Sequence, residues 1–385
     1  MLQKIRTSRR ISLTLALGLA ACTDGPSGNN PVKDTRLGAS VAWNERAVAL
    51  IVARQPASNG QAAVSRILTY VSLAEYRAVL AAQAAAGTKP PSAAAAVSAA
   101  SAAVLNSFFP LDTAATEAQL RSDLAALTTP FDAQYDISSG ETLGRNVGAA
   151  AIAQAAQDNY LAVPVGTPPT GTQYWRSSNA AIVRSLHGTK PFFMTTPSQI
   201  RPPTPPALGS AAFTTALSEV RQISDTRTQA QTDLAIKWNT NTGTFTAGAL
   251  NLIADSVLRS NKATELESAR ILALANTAAF DAQIACWDAK VFYWHPRPTH
   301  ADTAIKLAIA LPNHPSYPAG HSCITAGIMG VLIDAYASGR TTFERLIADA
   351  GLSRVYGGIH YRFDIDAGAA IGRGAATLAL NGTLR

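Results

Sequence analysis

Apolar side chains recur at helical spacing along most of this sequence, and strict apolar–polar alternation never lasts beyond a few positions. That periodicity predicts helices over 39–55, 61–86, 92–109, 120–127 and 143–160, with Pro and Gly punctuating the gaps. A second run of helical segments is predicted over 213–223, 229–238, 247–260, 262–293, 299–310, 320–337, 343–352 and 360–380. Between the two runs the pattern lapses. Positions 163–210 are rich in Pro, Thr and Gly, include Pro202-Pro203-Thr204-Pro205-Pro206, and read as irregular chain. The expectation is an all-α protein of two packed helical bundles: an N-terminal block over 38–162, a Pro-rich connecting loop over 163–210, and a C-terminal bundle over 211–385.

The first 37 positions follow another logic. Lys4, Arg6, Arg9 and Arg10 precede a short apolar stretch that closes with Leu19-Ala20-Ala21-Cys22. This is the layout of a secretory signal over 1–21, too short to span a bilayer. A cysteine directly after Leu-Ala-Ala resembles a lipoprotein box. Cys22 would then carry lipid, and 22–37 would be a polar tether to a bacterial membrane in an exported, periplasmic protein. Removing 1–21 takes away four basic and no acidic residues, so the net charge falls from +7 to +3. With no Lys/Arg run elsewhere, nucleic acid is not an expected partner. No other apolar stretch is long enough for a membrane span, so the lipid anchor would be the only membrane contact. Only Cys286 and Cys323 remain as thiols, too few for a disulfide scaffold and without zinc-ligand spacing, although the two could pair.

Five of the six histidines fall between His295 and His360. Three ordered pieces stand out there: Lys290-x6-Arg297-Pro298, Pro318-Ala319-Gly320-His321, and Ser353-Arg354-x5-His360-x3-Asp364. Each suits a tetrahedral oxyanion. Lys290 and Arg297 flank a helix end that Pro296 and Pro298 must break. Gly320 and His321 open the next helix, where free amides and the dipole favour an anion. Arg354 offers a planar fork. His360 and Asp364, four apart, are expected on one helix face, where the carboxylate fixes the imidazole tautomer and makes its other nitrogen more basic.

These pieces resemble the signature of the type 2 phosphatidic acid phosphatase and vanadium haloperoxidase superfamily. Pro191-Phe192-Phe193, Ile200-Arg201-Pro202-Pro203 and the stretch from Arg227 to Trp238 resemble its bacterial haloperoxidase-like branch. The resemblance implies an all-α bundle and carries roles with it. His360 would be the covalent anchor, either phosphorylated or the one protein ligand to vanadium. His321 would be the acid/base, Asp364 would orient His360, and Lys290, Arg297, Arg354 and the Gly320 amide would hold the anion's oxygens. Vanadate is the implied cofactor of a haloperoxidase, and a phosphatase would need none. One departure stands out: Ala319 replaces the serine of Pro-Ser-Gly-His and removes a donor typically worth about 1.5–3 kcal/mol.

Two further positions tilt toward a haloperoxidase that oxidises halide with hydrogen peroxide. Trp287 lies three before Lys290, and His314 lies seven before His321, where the resemblance implies pocket residues. The alternative is an acid phosphatase acting on phosphomonoesters through a phospho-His360 intermediate. A third reading is a binding protein that keeps the pocket without chemistry. In the enzymatic readings the partners are small molecules, peroxide and halide or a phosphate ester, and self-association into a homo-oligomer is open.

Overall fold

The computed structural model describes residues 38–55, 60–162, 168–177, 186 and 188–384; the signal, the tether and Cys22 lie outside the described residues. The chain begins with α1 (Ala39–Arg54), α2 (Gly60–Ala84), α3 (Ala93–Phe108), α4 (Thr113–Ala125) and α5 (Ile137–Ala155). After the Pro-rich stretch come α6 (Ala211–Thr226), α7 (Gln229–Lys237), α8 (Phe245–Ser260) and α9 (Glu265–Tyr293). A single turn, α10 (Pro298–Ala301), precedes α11 (Gly320–Ala335), α12 (Arg340–Tyr356) and α13 (Arg362–Asn381). The protein is all-α. Among the described residues no strand forms, one isolated bridge joins Pro91 and Asp136, and no helix is long and apolar enough to cross a membrane.

The 29-residue α9 organises the rest. Its start is set by a capping box: Glu267 N–H donates to Thr264 Oγ1, and Thr264 N–H donates back to Glu267 Oε2. From Ser268 to Cys286 nearly every side chain is buried, because α9 is apolar on all sides and is wrapped by α2, α11 and α13. Leu68 of α2, Leu105 of α3, Leu272 of α9 and Leu332 of α11 meet in one continuous core. On the far side, α13 presses its glycines onto the first turns of α11. A Cβ at Gly368 would lie 2.5 Å from Ala319 O, and one at Gly372 would lie 2.5 Å from Cys323 O. Only glycine permits that approach.

The Pro-rich stretch is held to α9 at several points. The backbone amides of Phe192 and Phe193 donate to the Asp281 carboxylate at 2.7 and 2.8 Å. Arg201 pairs with Asp288 at 2.6 Å and lies over the Phe292 ring. Tyr293 and Tyr317 hydroxyls donate to the carbonyls of Pro202 and Pro203. Backbone groups that proline prevents from entering a helix are satisfied here by side chains.

Two expectations need correction. The helix expected over 299–310 is only the one-turn α10. Beyond it, Ile305 and Ile309 are buried, Lys306 N–H donates to Ser224 Oγ, Lys306 O accepts from Arg227, and Ala308 N–H donates to Gly357 O. Tertiary partners take the hydrogen bonds that a helix would have made internally. The last helix starts at Arg362, so His360 is not on it.

Candidate active site

Lys290 sits one turn before the end of α9. Trp294 then takes a left-handed conformation (φ 49°) and its N–H closes on Lys290 O at 3.0 Å, which turns the chain toward Arg297. The segment from His314 to Ala319 crosses above and delivers the N-terminus of α11. Arg354 comes from the last turn of α12, and His360 from the bend before α13.

His360 and Asp364 meet although they do not share a helix. Asp364 is the third residue of α13, and its Oδ2 accepts from the Tyr361 amide at 3.2 Å and from His360 Nδ1 at 2.7 Å. The carboxylate thus caps α13 and holds the ring in one act. His360 Nε2 lies 2.9 Å from Arg297 Nη1, which can only donate, so Nε2 carries the lone pair and Nδ1 the proton. That puts the ring's one lone pair on the nitrogen facing the cluster of cations, where it accepts the Arg297 N–H and reaches a ligand only when that hydrogen bond is given up. Burial first, then Arg297 and Lys290, push the His360 pKa well below its ordinary value. Burial raises Asp364 to about 6 against the pull of Ser316, Lys290 and Arg297.

Sequence reasoning missed Ser316. Its hydroxyl donates to Asp364 Oδ2 at 2.5 Å, 3.5 Å from His360 Nδ1, and it is fully buried. The one available signal was a serine lodged between His314 and His321 in a Pro-flanked segment.

Three cations are buried against this corner, and none forms an ion pair with a carboxylate among the described residues. Lys290 Nζ donates to the carbonyls of Pro315 (2.8 Å), Ser316 (2.9 Å) and Pro318 (2.5 Å), so its three N–H bonds are all directed at the loop. Arg297 donates to the carbonyls of His314 and Ile359 and to the rings of His360 and His314. Arg354 donates from Nε to Ser353 Oγ and from Nη2 to Ala235 O, which leaves Nη1 as its free arm rather than a complete fork. Burial lowers Lys290 to about 8, Arg297 to about 10 and Arg354 to about 9. Each is still charged at neutral pH. The single nearby carboxylate, Asp364, is occupied by His360, Ser316 and Tyr361. Uncompensated buried charge is costly, and a polyvalent anion would relieve it.

The α11 N-terminus adds to this field. Ala319 is its N-cap and supplies no side-chain acceptor, so the first amides of the helix stay open toward the cavity that Gly320 and His321 line. His321 Nε2 lies 2.9 Å from Trp238 O and therefore carries the proton, leaving Nδ1 as its lone-pair nitrogen. Burial, then Arg354, keep His321 well below its usual pKa. The cavity, about 100 Å³, is also lined by Cys286, Trp287, Lys290, His314, Arg354 and His360. Trp287 and His314 rest on one another at 4.9 Å between ring centres. Every predicted site residue from Trp287 to Asp364 therefore converges here, with Arg297 and Asp364 behind the wall. Gln61 of α2, Asn241 and Gln283 also reach the cavity, and no local motif marked them.

Comparison with known proteins follows the same line. Residues 269–384 match the family model of the PAP2 superfamily. Among solved structures, the chain is similar to the first bacterial vanadium-dependent iodoperoxidase (22% identity, TM-score 0.75, covering 89% of this chain and 95% of that one). It is also similar to a bacterial vanadium-dependent chloroperoxidase in its holo form (17% identity, TM-score 0.66, covering 83% and 91%). A search of curated proteins finds no match. The fold is that of the bacterial vanadium haloperoxidases, and the part of the chain that supplies the cavity's cations and histidines is the part that matches the PAP2 superfamily model.

Proposed function

We propose that this chain is a vanadium-dependent haloperoxidase-like enzyme that oxidises halide with hydrogen peroxide at a His360-anchored vanadate. The observation that carries this reading is the Trp287–His314 pair, which closes one wall of a small cation-lined cavity and suits it to a compact oxyanion and peroxide rather than a bulky ester. The residues present fit such an anion. Three cations face one committed carboxylate, and among the described residues no group of three His, Cys, Asp or Glu suits a bare metal ion. His360 Nε2 would be the protein ligand, with Asp364 and Ser316 fixing its tautomer. The Arg354 Nη1 arm and the Gly320 amide would hold oxygens, and Lys290 and Arg297 would supply charge. Bound vanadate supplies Lewis acidity that activates peroxide toward halide. His321 Nδ1 would take up and return the proton.

A second reading, an acid phosphatase working through phospho-His360, is favoured by a different observation. Ala319 lacks the hydroxyl, and the Lys290 N–H bonds are spent on loop carbonyls. Both weaken the hold on a resident anion and suit one that enters and leaves. Here His360 Nε2 would attack phosphorus once released by Arg297, and His321 would protonate the leaving oxygen after taking up a proton at Nδ1.

Two assays on one purified sample separate the readings. Dye bromination that requires both vanadate and peroxide supports the first; nitrophenyl phosphate hydrolysis inhibited by vanadate supports the second. A His360→Ala variant with full activity in either assay would sink the site assignment. Export and lipid anchoring through Cys22 are part of the proposal on the strength of the signal pattern, and metabolic labelling with palmitate tests them.

A further inference from the structure

Cys286 and Cys323 have no role in either chemistry, yet they occupy a particular place. A Cβ on Gly327 would lie 3.0 Å from Ala279 Cα, so α9 and α11 run almost in backbone contact. Cys323 is one turn before Gly327 and Cys286 is seven residues after Ala279, and each thiol is a hydrogen-bonding neighbour of the other. Both are free and buried in one apolar cluster with Phe280, Ile284 and Ile371. The Cys286 Sγ–H points at Pro318 O (3.8 Å), and Cys286 also lines the cavity, one helical turn from Lys290. Cys323 stands behind it, fully buried.

We propose that Cys286 and Cys323 form a peroxide-reactive dithiol in the wall of the candidate cavity, with Cys286 as the attacking thiol and Cys323 as the resolving one. Cys286 sulfur attacks one peroxide oxygen. An S–O bond forms, the O–O bond breaks, and the departing hydroxide leaves as water with the thiol's proton. Cys323 sulfur then attacks the Cys286 sulfenic acid, an S–S bond forms, and a second water leaves. Two thiols and one hydrogen peroxide thus give one disulfide and two waters. The asymmetry of the pair matches these roles. Burial raises both thiols, but the contact with Cys323 and the Lys290 ammonium outweigh it at Cys286 and lower its pKa, whereas Cys323 stays well above the ordinary value. The haloperoxidase reading is needed only to explain why peroxide would be present.

The test uses the reduced full chain treated with hydrogen peroxide without halide or vanadate, then alkylated under denaturing conditions and mapped by mass spectrometry, which reads these cysteines apart from Cys22. The expected result is a disulfide-linked peptide pair and loss of alkylation at both positions. In Cys323→Ser, a dimedone probe should label Cys286; in Cys286→Ser, Cys323 should remain alkylatable. Inorganic phosphate at about ten times its Kd should slow oxidation about tenfold by filling the cavity. Intact thiols after peroxide would overturn the proposal, as would Cys323 oxidising at the unmodified rate in Cys286→Ser. Intact thiols in a brominating enzyme would sink the dithiol alone, whereas oxidised thiols in an enzyme unable to brominate would sink the haloperoxidase reading alone.

Discussion

Arg66 and Arg297 are both guanidiniums drawn against interior walls, and their surroundings differ in kind. Arg66 donates to Asp158 (2.7 Å) and to Ala155 O, the Tyr70 hydroxyl donates to the same carboxylate, and the guanidinium lies over the Tyr160 ring. This charge is closed: cation, anion and aromatic faces complete one another beside a cleft of about 560 Å³. Among the described residues Arg297 meets only carbonyls and imidazoles, as Lys290 meets only carbonyls. Neutral acceptors satisfy hydrogen-bond geometry without cancelling charge. A large cleft with compensated charge is a packing feature, whereas a small one with uncompensated charge is the better candidate for anion chemistry.

The sharpest break of that comparison is His360→Ala. Activity in whichever assay responds should fall about a thousandfold or more, with helicity unchanged by circular dichroism; a drop below tenfold would remove His360 from the chemistry. Arg66→Ala should do the converse. It strands Asp158 and should cost about 2–3 kcal/mol in denaturant unfolding, while phosphate affinity in calorimetry stays put. Ala319→Ser restores both an N-cap and an anion donor, and should tighten phosphate binding about tenfold. No gain would mean that the α11 amides already saturate that side of the anion.

The smallest effect concerns pH. Burial places Lys290 at about 8 in the folded protein, below its unfolded value of about 10.4. The folded state disfavours the ammonium, so the empty protein should gain stability as pH rises through 8 and lose it as pH falls back. Sulfate, whose charge is constant over this range, should bind best below pH 8 and several-fold more weakly above it. Opposite trends in thermal unfolding and sulfate calorimetry are therefore expected. Parallel trends would mean that Lys290 does not contribute its charge to the anion.

Most of the fold was legible because Ala-rich periodic segments leave helix as the one economical structure, and α9 was legible as the long helical run over 262–293, although its Thr264–Glu267 box went unread. The stretch over 299–310 misled because its apolar spacing is helical, while its hydrogen bonds go to Ser224, Arg227 and Gly357. At the candidate site, the residues that gather around the cavity were legible and the setting of one pair was not. His360 and Asp364 have i,i+4 spacing, yet the contact arises from a helix cap. Ser316 and Gln61 could not be read, since the first needed the fold of a Pro-flanked loop and the second a helix more than two hundred positions away.

Along α9, Asp281 fastens the Phe192–Phe193 segment, Cys286 and Trp287 form cavity wall, Asp288 fastens Arg201, and Lys290 grips the 315–318 segment. These attachments hold one another in rotational phase. Deleting one residue between Asp281 and Lys290 would turn everything downstream by about 100° and draw it back about 1.5 Å, swinging Lys290 out of reach of its carbonyls while Asp281 kept its own. Descendants of this sequence can therefore vary in the side chains of that interval far more freely than in its length.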